Sequence, residues 1–122
     1  LARAHLAGTG SDGEQRWRVG DDLLLRLWPD GTQFWHRDGQ LHRGDASQDR
    51  PAVVWANGSQ CWYRDGQLHR DGDRPAYVGT NGSQCWYRHG QLHRGDASQD
   101  RPAIVWADGR LEWWVNGKRV QR

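Results

Sequence analysis

The sequence predicts an all-β protein made of tandem repeats, each a short three-stranded antiparallel meander of about 24–27 residues. The first observation is a copied segment, because NGSQCWYRDGQLHR at 57–70 returns as NGSQCWYRHGQLHR at 81–94. The second is the regular placement of turn residues, since Asn-Gly and Asp-Gly pairs separate short runs rich in β-branched and aromatic residues. Two arrangements are compatible with this pattern, one extended sheet or a string of small β modules.

Aligning the Asn-Gly and Asp-Gly pairs divides the chain into five parts. Full repeats are expected where the whole pattern is present, and degenerate ones where the Gln-Leu-His-Arg element is missing. The predicted divisions are an N-terminal segment with a capping repeat at 1–29, repeat 1 at 30–56, repeat 2 at 57–80, repeat 3 at 81–107 and a partial repeat at 108–122. Length varies only between the third strand and the next proline, which marks that segment as a surface loop.

Within repeat 2 the runs PAVVWA, SQCWYR and QLHR are predicted to form the three strands. The pairs Asn57-Gly58 and Asp65-Gly66 are both expected to form two-residue type I′ turns, since these residues tolerate positive φ angles. One repeat is too small to bury enough apolar area for independent stability, so neighbouring repeats must share surface. The repeat is therefore copied because stability comes from the copies.

A small aromatic core is expected in each repeat. Hydrophobic residues make up only 35% of the chain, but nine are Trp, and each buried indole removes a large apolar area from water. The predicted core residues are Trp35, Trp55, Trp62, Leu68, Trp86, Leu92, Trp106 and Trp113.

Charge and cysteine content narrow the functional classes. A net charge of +2 is too balanced to indicate a nucleic-acid-binding protein. Cys61 and Cys85 occupy equivalent places in successive repeats, too far apart for a disulfide, so we expect free thiols and a cytoplasmic location. The sequence shows no membrane span or signal peptide. Because the chain lacks Met, we expect a fragment or a processed product.

Repeated histidines and aspartates are the residues of the pattern that could take part in catalysis or metal binding. A nucleophilic triad with a neighbouring serine is conceivable, but an active site is rarely needed three times in one small chain. Zinc binding is disfavoured because Phe34 and Glu112 replace the cysteines in other repeats. We therefore predict neither enzyme activity nor a cofactor. The expected role is hydrogen bonding that pins each variable loop onto its meander, by His42, His69, His93, Asp49, Asp73 and Asp100.

The spacing of Asn/Asp-Gly, Trp-Tyr, Gly-Gln-Leu-His-Arg and Arg-Pro-Ala across residues 57–80 resembles MORN-type and MORN-variant repeats. The resemblance covers residues 30–117 and is carried by the segment from Trp62 to His69. MORN-type repeats are β-hairpin modules of about this length, so the resemblance implies a non-enzymatic scaffold. It also implies contacts with proteins and, less directly, with anionic lipid.

A protein-binding or self-associating scaffold is therefore the function we expect. The competing class is a module for phosphate-bearing partners, either nucleic acid or anionic lipid, which would use repeated arginine and tyrosine positions. Candidate partner-binding residues are Arg37, Tyr63, Arg64, Tyr87 and Arg88.

Overall fold

The computed structural model describes residues 4–20, 22–43, 49–94 and 101–121, and the described chain is all β. The N-terminal strands are β1 (Ala4–Thr9), β2 (Gln15–Val19) and β3 (Leu23–Leu27). Repeat 1 contributes β4 (Gln33–Arg37), β5 (Gln40–Leu41) and β6 (Val53–Val54). Repeat 2 contributes β7 (Gln60–Cys61), β8 (Tyr63–Arg64), β9 (Gln67–Leu68) and β10 (Tyr77–Val78). Repeat 3 contributes β11 (Gln84–Cys85), β12 (Tyr87–Arg88), β13 (Gln91–Leu92) and β14 (Ile104–Val105), followed by β15 (Leu111–Val115) and β16 (Lys118–Val120).

One antiparallel sheet connects all the repeats. Its strand order is β1-β2-β3-β4-β6-β7-β10-β11-β14-β15-β16, with β5 paired to β4. The two arrangements that the sequence left open are thereby distinguished, because β7 pairs with β6 on one side and with β10 on the other. The repeats therefore form a continuous array of hairpins.

The second strand of each repeat forks at a tryptophan. In repeat 2, the backbone N–H of Trp62 donates to the carbonyl of Ala76 at 2.7 Å, while its own carbonyl accepts from His69 at 3.0 Å. Beyond the fork, β8 and β9 form a separate two-stranded ladder, as β12 and β13 do in repeat 3. Each predicted meander therefore consists of two hairpins that share the strand containing the tryptophan. One hairpin belongs to the large sheet, and the other forms a separate two-stranded ladder, here called the side hairpin.

The two turns of a repeat differ in type. The Asp65-Gly66 turn has positive φ at both residues, as a type I′ turn requires. At the other turn only Gly58 has positive φ, and Gly58 N–H donates to the carbonyl of Trp55 at 2.8 Å. This is a three-residue loop with a glycine bulge, so the prediction of a type I′ turn at Asn57-Gly58 is wrong. The reason is that the Asn57 carboxamide accepts the Ser59 N–H and stabilises a right-handed turn.

Strand register divides the tryptophans between the two faces of the sheet. Val53 pairs with Cys61, and directly paired residues lie on the same face. Alternation then places Trp55 on the face of Cys61 and Trp62 on the opposite face. The prediction that Trp55 is a core residue is wrong, because it is 43% exposed.

Burial is concentrated along the forks. Trp35, Trp62 and Trp86 are buried, and Ala52, Ala76 and Ala103, whose carbonyls receive the tryptophan N–H groups, are fully buried. The remaining predicted core residues are only half-buried: Leu68, Leu92, Trp106 and Trp113.

Candidate functional site

An arginine lies over each fork tryptophan. The guanidinium carbon atoms of Arg43, Arg70 and Arg94 are 4.0, 3.7 and 3.9 Å from the ring centres of Trp35, Trp62 and Trp86. Each arginine also donates to the carbonyl of the next proline, at 3.4, 3.0 and 3.2 Å. Each arginine therefore connects its own tryptophan ring to the proline that precedes the next strand, by cation–π and hydrogen-bonding contacts.

Loop aspartates connect successive repeats through the same arginines. Asp49 of repeat 1 binds Arg70 of repeat 2 at 2.7 Å and Arg74 at 2.6 Å. Asp73 of repeat 2 binds Arg94 of repeat 3 at 2.9 Å. Among the described residues, the ion-pair partners of these two aspartates are arginines and not the repeated histidines. A fixed guanidinium fork offers two parallel donors to a carboxylate, which a single imidazole N–H cannot.

The repeated histidines fasten the neighbouring repeat instead. Nδ1 of His42, His69 and His93 accepts the backbone N–H of the type I′ turn in the next repeat, at 3.1, 3.1 and 3.0 Å. All three imidazoles are buried. His69 also binds a loop carboxylate, that of Asp71, at 3.1 Å through Nε2. Asp100, the remaining residue of the predicted pinning set, lies outside the described residues.

Serine hydroxyls link the neighbouring turns at the opposite ends of the strands. Ser59 Oγ accepts the backbone N–H of Thr80 at 3.3 Å, and Ser83 Oγ accepts that of Ala107 at 3.2 Å. Both serines are buried. Each hydroxyl therefore links the turn of its own repeat to the corresponding turn of the next repeat.

The five candidate partner-binding residues have different environments. Tyr63 and Tyr87 are half-buried, and burial raises the pKa of both phenols. Arg37 is paired with Asp22 at 3.3 Å, and Arg64 is paired with Asp71. Arg88 is exposed and makes no ion pair with any residue of the described ranges. Of the three arginines among the five candidates, Arg88 is the one with no ion-pair partner in the part of the chain that the structure describes.

Arg88 lies in a groove of about 550 Å³, which is lined by residues 69–74 of repeat 2, by the β12–β13 hairpin of repeat 3 and by the turn after β15. The groove is polar, with five arginines and two aspartates among its lining residues. Asp73 bridges Arg94 and Arg101, at 2.9 and 2.8 Å. These arginines hold the pKa of Asp73 below its usual value, because a nearby cation favours the carboxylate.

An aromatic patch, formed by Trp28, Phe34 and Trp55, occupies the opposite face of the sheet. The Phe34 ring meets Trp28 and Trp55 edge to face, at centroid distances of 5.1 and 5.5 Å. Arg26 lies over Trp28 at 4.8 Å. Sequence reasoning missed this patch because it assigned Trp55 to the core. The signal that identifies it is the register of Val53 with both Phe34 and Cys61.

His36 stands beside the aromatic patch and was also missed. It lines a cavity of about 340 Å³ with Arg18, Arg26 and Asp22. Burial lowers the pKa of His36, and the charge of Arg26 lowers it further. The imidazole is therefore held in its neutral form near this arginine.

Both cysteines are free thiols, as the sequence predicts. Cys61 and Cys85 each pair with Tyr77, so one strand separates them. Two inter-strand spacings of about 4.8 Å exceed the reach of a disulfide. Among the described residues no group of three or more His, Cys, Asp or Glu side chains is arranged to hold a metal ion.

Within the described ranges there is no apolar helix of membrane-spanning length. Comparison with protein-family models, curated proteins and solved structures gives no match.

Proposed function

We propose that this protein is a non-enzymatic repeat scaffold that binds a protein partner through the aromatic patch. The observation that carries this proposal is the exposure of Trp55, of which 43% remains accessible although it packs against Phe34. Tryptophan is enriched among the residues that dominate binding energy at protein interfaces. An exposed indole held in place by a neighbouring ring loses little conformational entropy on binding.

The contacts between repeats support a scaffold role. Three residues are of types that can act in catalysis, but each makes a hydrogen bond or ion pair with a turn or loop of a neighbouring repeat: His42, Ser59 and Arg70. These residue types recur along the chain because the same contact between neighbouring repeats recurs. The resemblance to MORN-type repeats points to the same class of protein.

Binding to nucleic acid or anionic lipid is the alternative. It would need a continuous row of arginines free of carboxylates. Arg70 and Arg94 are neutralised by Asp49 and Asp73. This pairing favours a protein partner over a polyanion.

The test uses two matched substitutions, Trp55→Ala and Leu111→Ala. Leu111 is 44% exposed, and its pairing with Val105 places it on the face opposite the aromatic patch. Wild-type and variant proteins would be crosslinked in cell extracts, and captured proteins would be identified by mass spectrometry and purified for affinity measurement. Unfolding midpoints would first show that both variants fold.

We expect a specific protein to bind the wild type and Leu111→Ala alike, and to bind Trp55→Ala about 30-fold more weakly, the loss typical of an interface hot spot. Equal binding by the two variants would contradict the assignment of the patch. Capture of nucleic acid or lipid vesicles, with no protein that depends on Trp55, would contradict the proposed function.

A further inference from the structure

The strand β1 is the first strand of a repeat unit, although this unit is degenerate. Each buried alanine of a fork stands five positions before an Asn-Gly or Asp-Gly pair, and Ala7 stands five positions before Asp12-Gly13. The next turn is closed as in the full repeats, with Gly10 N–H donating to the Glu14 carbonyl at 2.7 Å. The strand β1 is therefore equivalent to β6, β10 and β14.

The outer edge of β1 is unpaired within the described ranges. Here β1 pairs with β2 alone and is the terminal strand of the sheet. In the full repeats the equivalent edge pairs with the second strand of the preceding repeat, as Val53 pairs with Phe34. Five of the six residues of β1 are exposed, and Leu6 retains 52% of its accessible surface. The strand also has no charged Asp, Glu, Lys or Arg side chain that would oppose the addition of another strand.

The opposite end of the sheet has the matching edge. Leu111 and Glu112 pair with β14, whereas the pairing of β15 with β16 begins only at Trp113. The carbonyls of Arg110 and Glu112 accept hydrogen bonds from residues of the β14 side. Strand alternation therefore points the backbone groups of Leu111 away from β14, where no residue of the described ranges pairs with them. At this place in repeats 1–3, the second strand pairs with the next repeat.

The two edges carry opposite charges at equivalent positions. Arg16 of β2 and Glu112 of β15 each lie four positions after the Asp of an Asp-Gly pair. In the full repeats this position is uncharged: Phe34, Cys61 and Cys85. Arg16 pairs with Gly8, and one of its terminal nitrogens lies 3.1 Å from where a Cβ at Gly8 would be. The guanidinium therefore lies over β1, and its ion pair with Glu14 is long, at 3.7 Å, which leaves donors for a second carboxylate.

We propose that a second copy of this chain adds its β1 to the open edge of β15, so that copies join end to end through one continuous sheet. The register is the one found inside the chain, where the row Cys85, Ile104 and Glu112 crosses three strands. It pairs Glu112 of one copy with Gly8 of the next. A contact between unlike ends leaves one end of each kind free, so it builds a filament and not a closed dimer.

The absence of a side chain at Gly8 allows the charges of this junction to meet. Two strand spacings of about 4.8 Å separate the Cα atom of Glu112 from that of Arg16 in the next copy. Glutamate and arginine side chains together span this distance, and opposite charges on neighbouring strands favour the register. The Glu112 carboxylate is oriented by the indole N–H groups of Trp106 and Trp114, at 2.7 and 3.1 Å. The junction uses no residue of the aromatic patch, so it is independent of the partner proposed there.

The experiment measures the mass distribution of the whole chain by sedimentation velocity as its concentration is raised to about 1 mM, the weak end of protein affinities. Arg16→Glu and Glu112→Arg each place like charges across the junction, whereas alternating copies in a mixture of the two variants place unlike charges there. The control Arg50→Glu changes the net charge as Arg16→Glu does, at an exposed arginine of repeat 1.

A second pair of variants tests the backbone edge. Leu111→Pro removes the N–H that faces the open edge and no hydrogen bond to β14, and Leu111→Val keeps that N–H as the matched control. Urea unfolding midpoints would first show which variants fold as the wild type does.

We expect the wild type, Arg50→Glu and Leu111→Val to form species that lengthen with concentration. Arg16→Glu, Glu112→Arg and Leu111→Pro should each associate about 10-fold or more weakly, and the mixture of the two charge variants should assemble as the wild type does. A wild type that stays monomeric, a species that stops at two copies, or association of Leu111→Pro equal to that of Leu111→Val would overturn the proposal. Loss of assembly in Trp55→Ala would also overturn it, by assigning self-association to the aromatic patch.

Discussion

The backbone N–H of His89 donates a hydrogen bond to Nδ1 of His69, one repeat earlier in the chain, over 3.1 Å. Nδ1 therefore carries no proton, and the proton on Nε2 is directed at Asp71. Next to this bond, Gly90 N–H donates to the carbonyl of Leu68 at 2.9 Å. Both amides of the turn thus depend on the preceding repeat, so each side hairpin is held by its neighbour.

Removal of the His69 imidazole should weaken this junction. In His69→Ala the His89 N–H loses its acceptor in a partly buried position, which should cost about 1 kcal/mol of unfolding free energy. His69→Asn should recover part of the loss, because its side-chain oxygen can take the place of Nδ1. Urea unfolding followed by tryptophan fluorescence measures both. The exposed His5 provides the control, and a loss in His5→Ala equal to that in His69→Ala would contradict the mechanism.

The sequence predicts the features that depend on local patterns, but it does not predict those that depend on pairing between distant residues. The all-β class, the hairpin punctuation and the burial of Trp62 follow from features within one repeat. The fork at Trp62 and the exposure of Trp55 do not, because they depend on pairing with Ala76 and on the register of Val53. The acceptor role of His69 was missed for the same reason, since its partner lies 20 residues away.

Gly79 and Tyr77 form a compensating pair. Repeats 1 and 3 have Val53 with Trp55 and Ile104 with Trp106 at the matching positions. In repeat 2 the hydroxyl of Tyr77 lies 2.9 Å from where a Cβ at position 79 would be.

Gly79→Ala should therefore destabilise the chain only slightly, because the atoms that its Cβ would meet are the ends of the Tyr77 and Asn81 side chains, which can shift. Gly79→Trp alone should be more destabilising, and the double variant Tyr77→Val/Gly79→Trp should recover most of the loss. A double-mutant cycle from urea unfolding measures the coupling. Additive effects would show that the two positions are independent.

His89 occupies a turn position that favours asparagine. Its φ is 49°, in the left-handed region, and Asn116 and Asp65 hold the equivalent position in other repeats at φ 50°. Asparagine tolerates this conformation better than histidine. His89→Asn should therefore raise the unfolding free energy by up to about 1 kcal/mol, although the ring contact with His69 is lost. The reverse exchange, Asp65→His, should lower the free energy. A change of the same sign in both would contradict this explanation.

Arg94 should not be replaceable by lysine. Its guanidinium lies 3.9 Å from the Trp86 ring centre while binding Asp73 at 2.9 Å and the Pro102 carbonyl at 3.2 Å. Lysine keeps the charge but cannot make these contacts together, so Arg94→Lys should cost about 1–3 kcal/mol of unfolding free energy. Arg110→Lys is the control, because Arg110 is 5.6 Å from Trp106 and largely exposed. Equal losses would show that charge alone matters.

The Cys85 thiol should react slowly in the folded protein. Burial raises its pKa from 9.0 to about 11, and the nearby Cys61 and Glu112 act in the same direction. Only the thiolate attacks iodoacetamide, so at pH 8 alkylation of Cys85 should be about 100-fold slower in the folded chain than in urea. Peptide mass spectrometry measures this residue separately from Cys61.

The same pKa shift predicts a loss of stability in alkali. The unfolded chain releases the Cys85 proton near pH 9 and the folded chain near pH 11, so folding is favoured below pH 9 and progressively less as the pH rises through this interval. In Cys85→Ala the decline in unfolding free energy between pH 9 and 11 should be smaller than in the wild type. Rapid alkylation of the folded chain at pH 8, together with identical alkaline profiles for wild type and variant, would contradict a half-buried thiol that stays protonated.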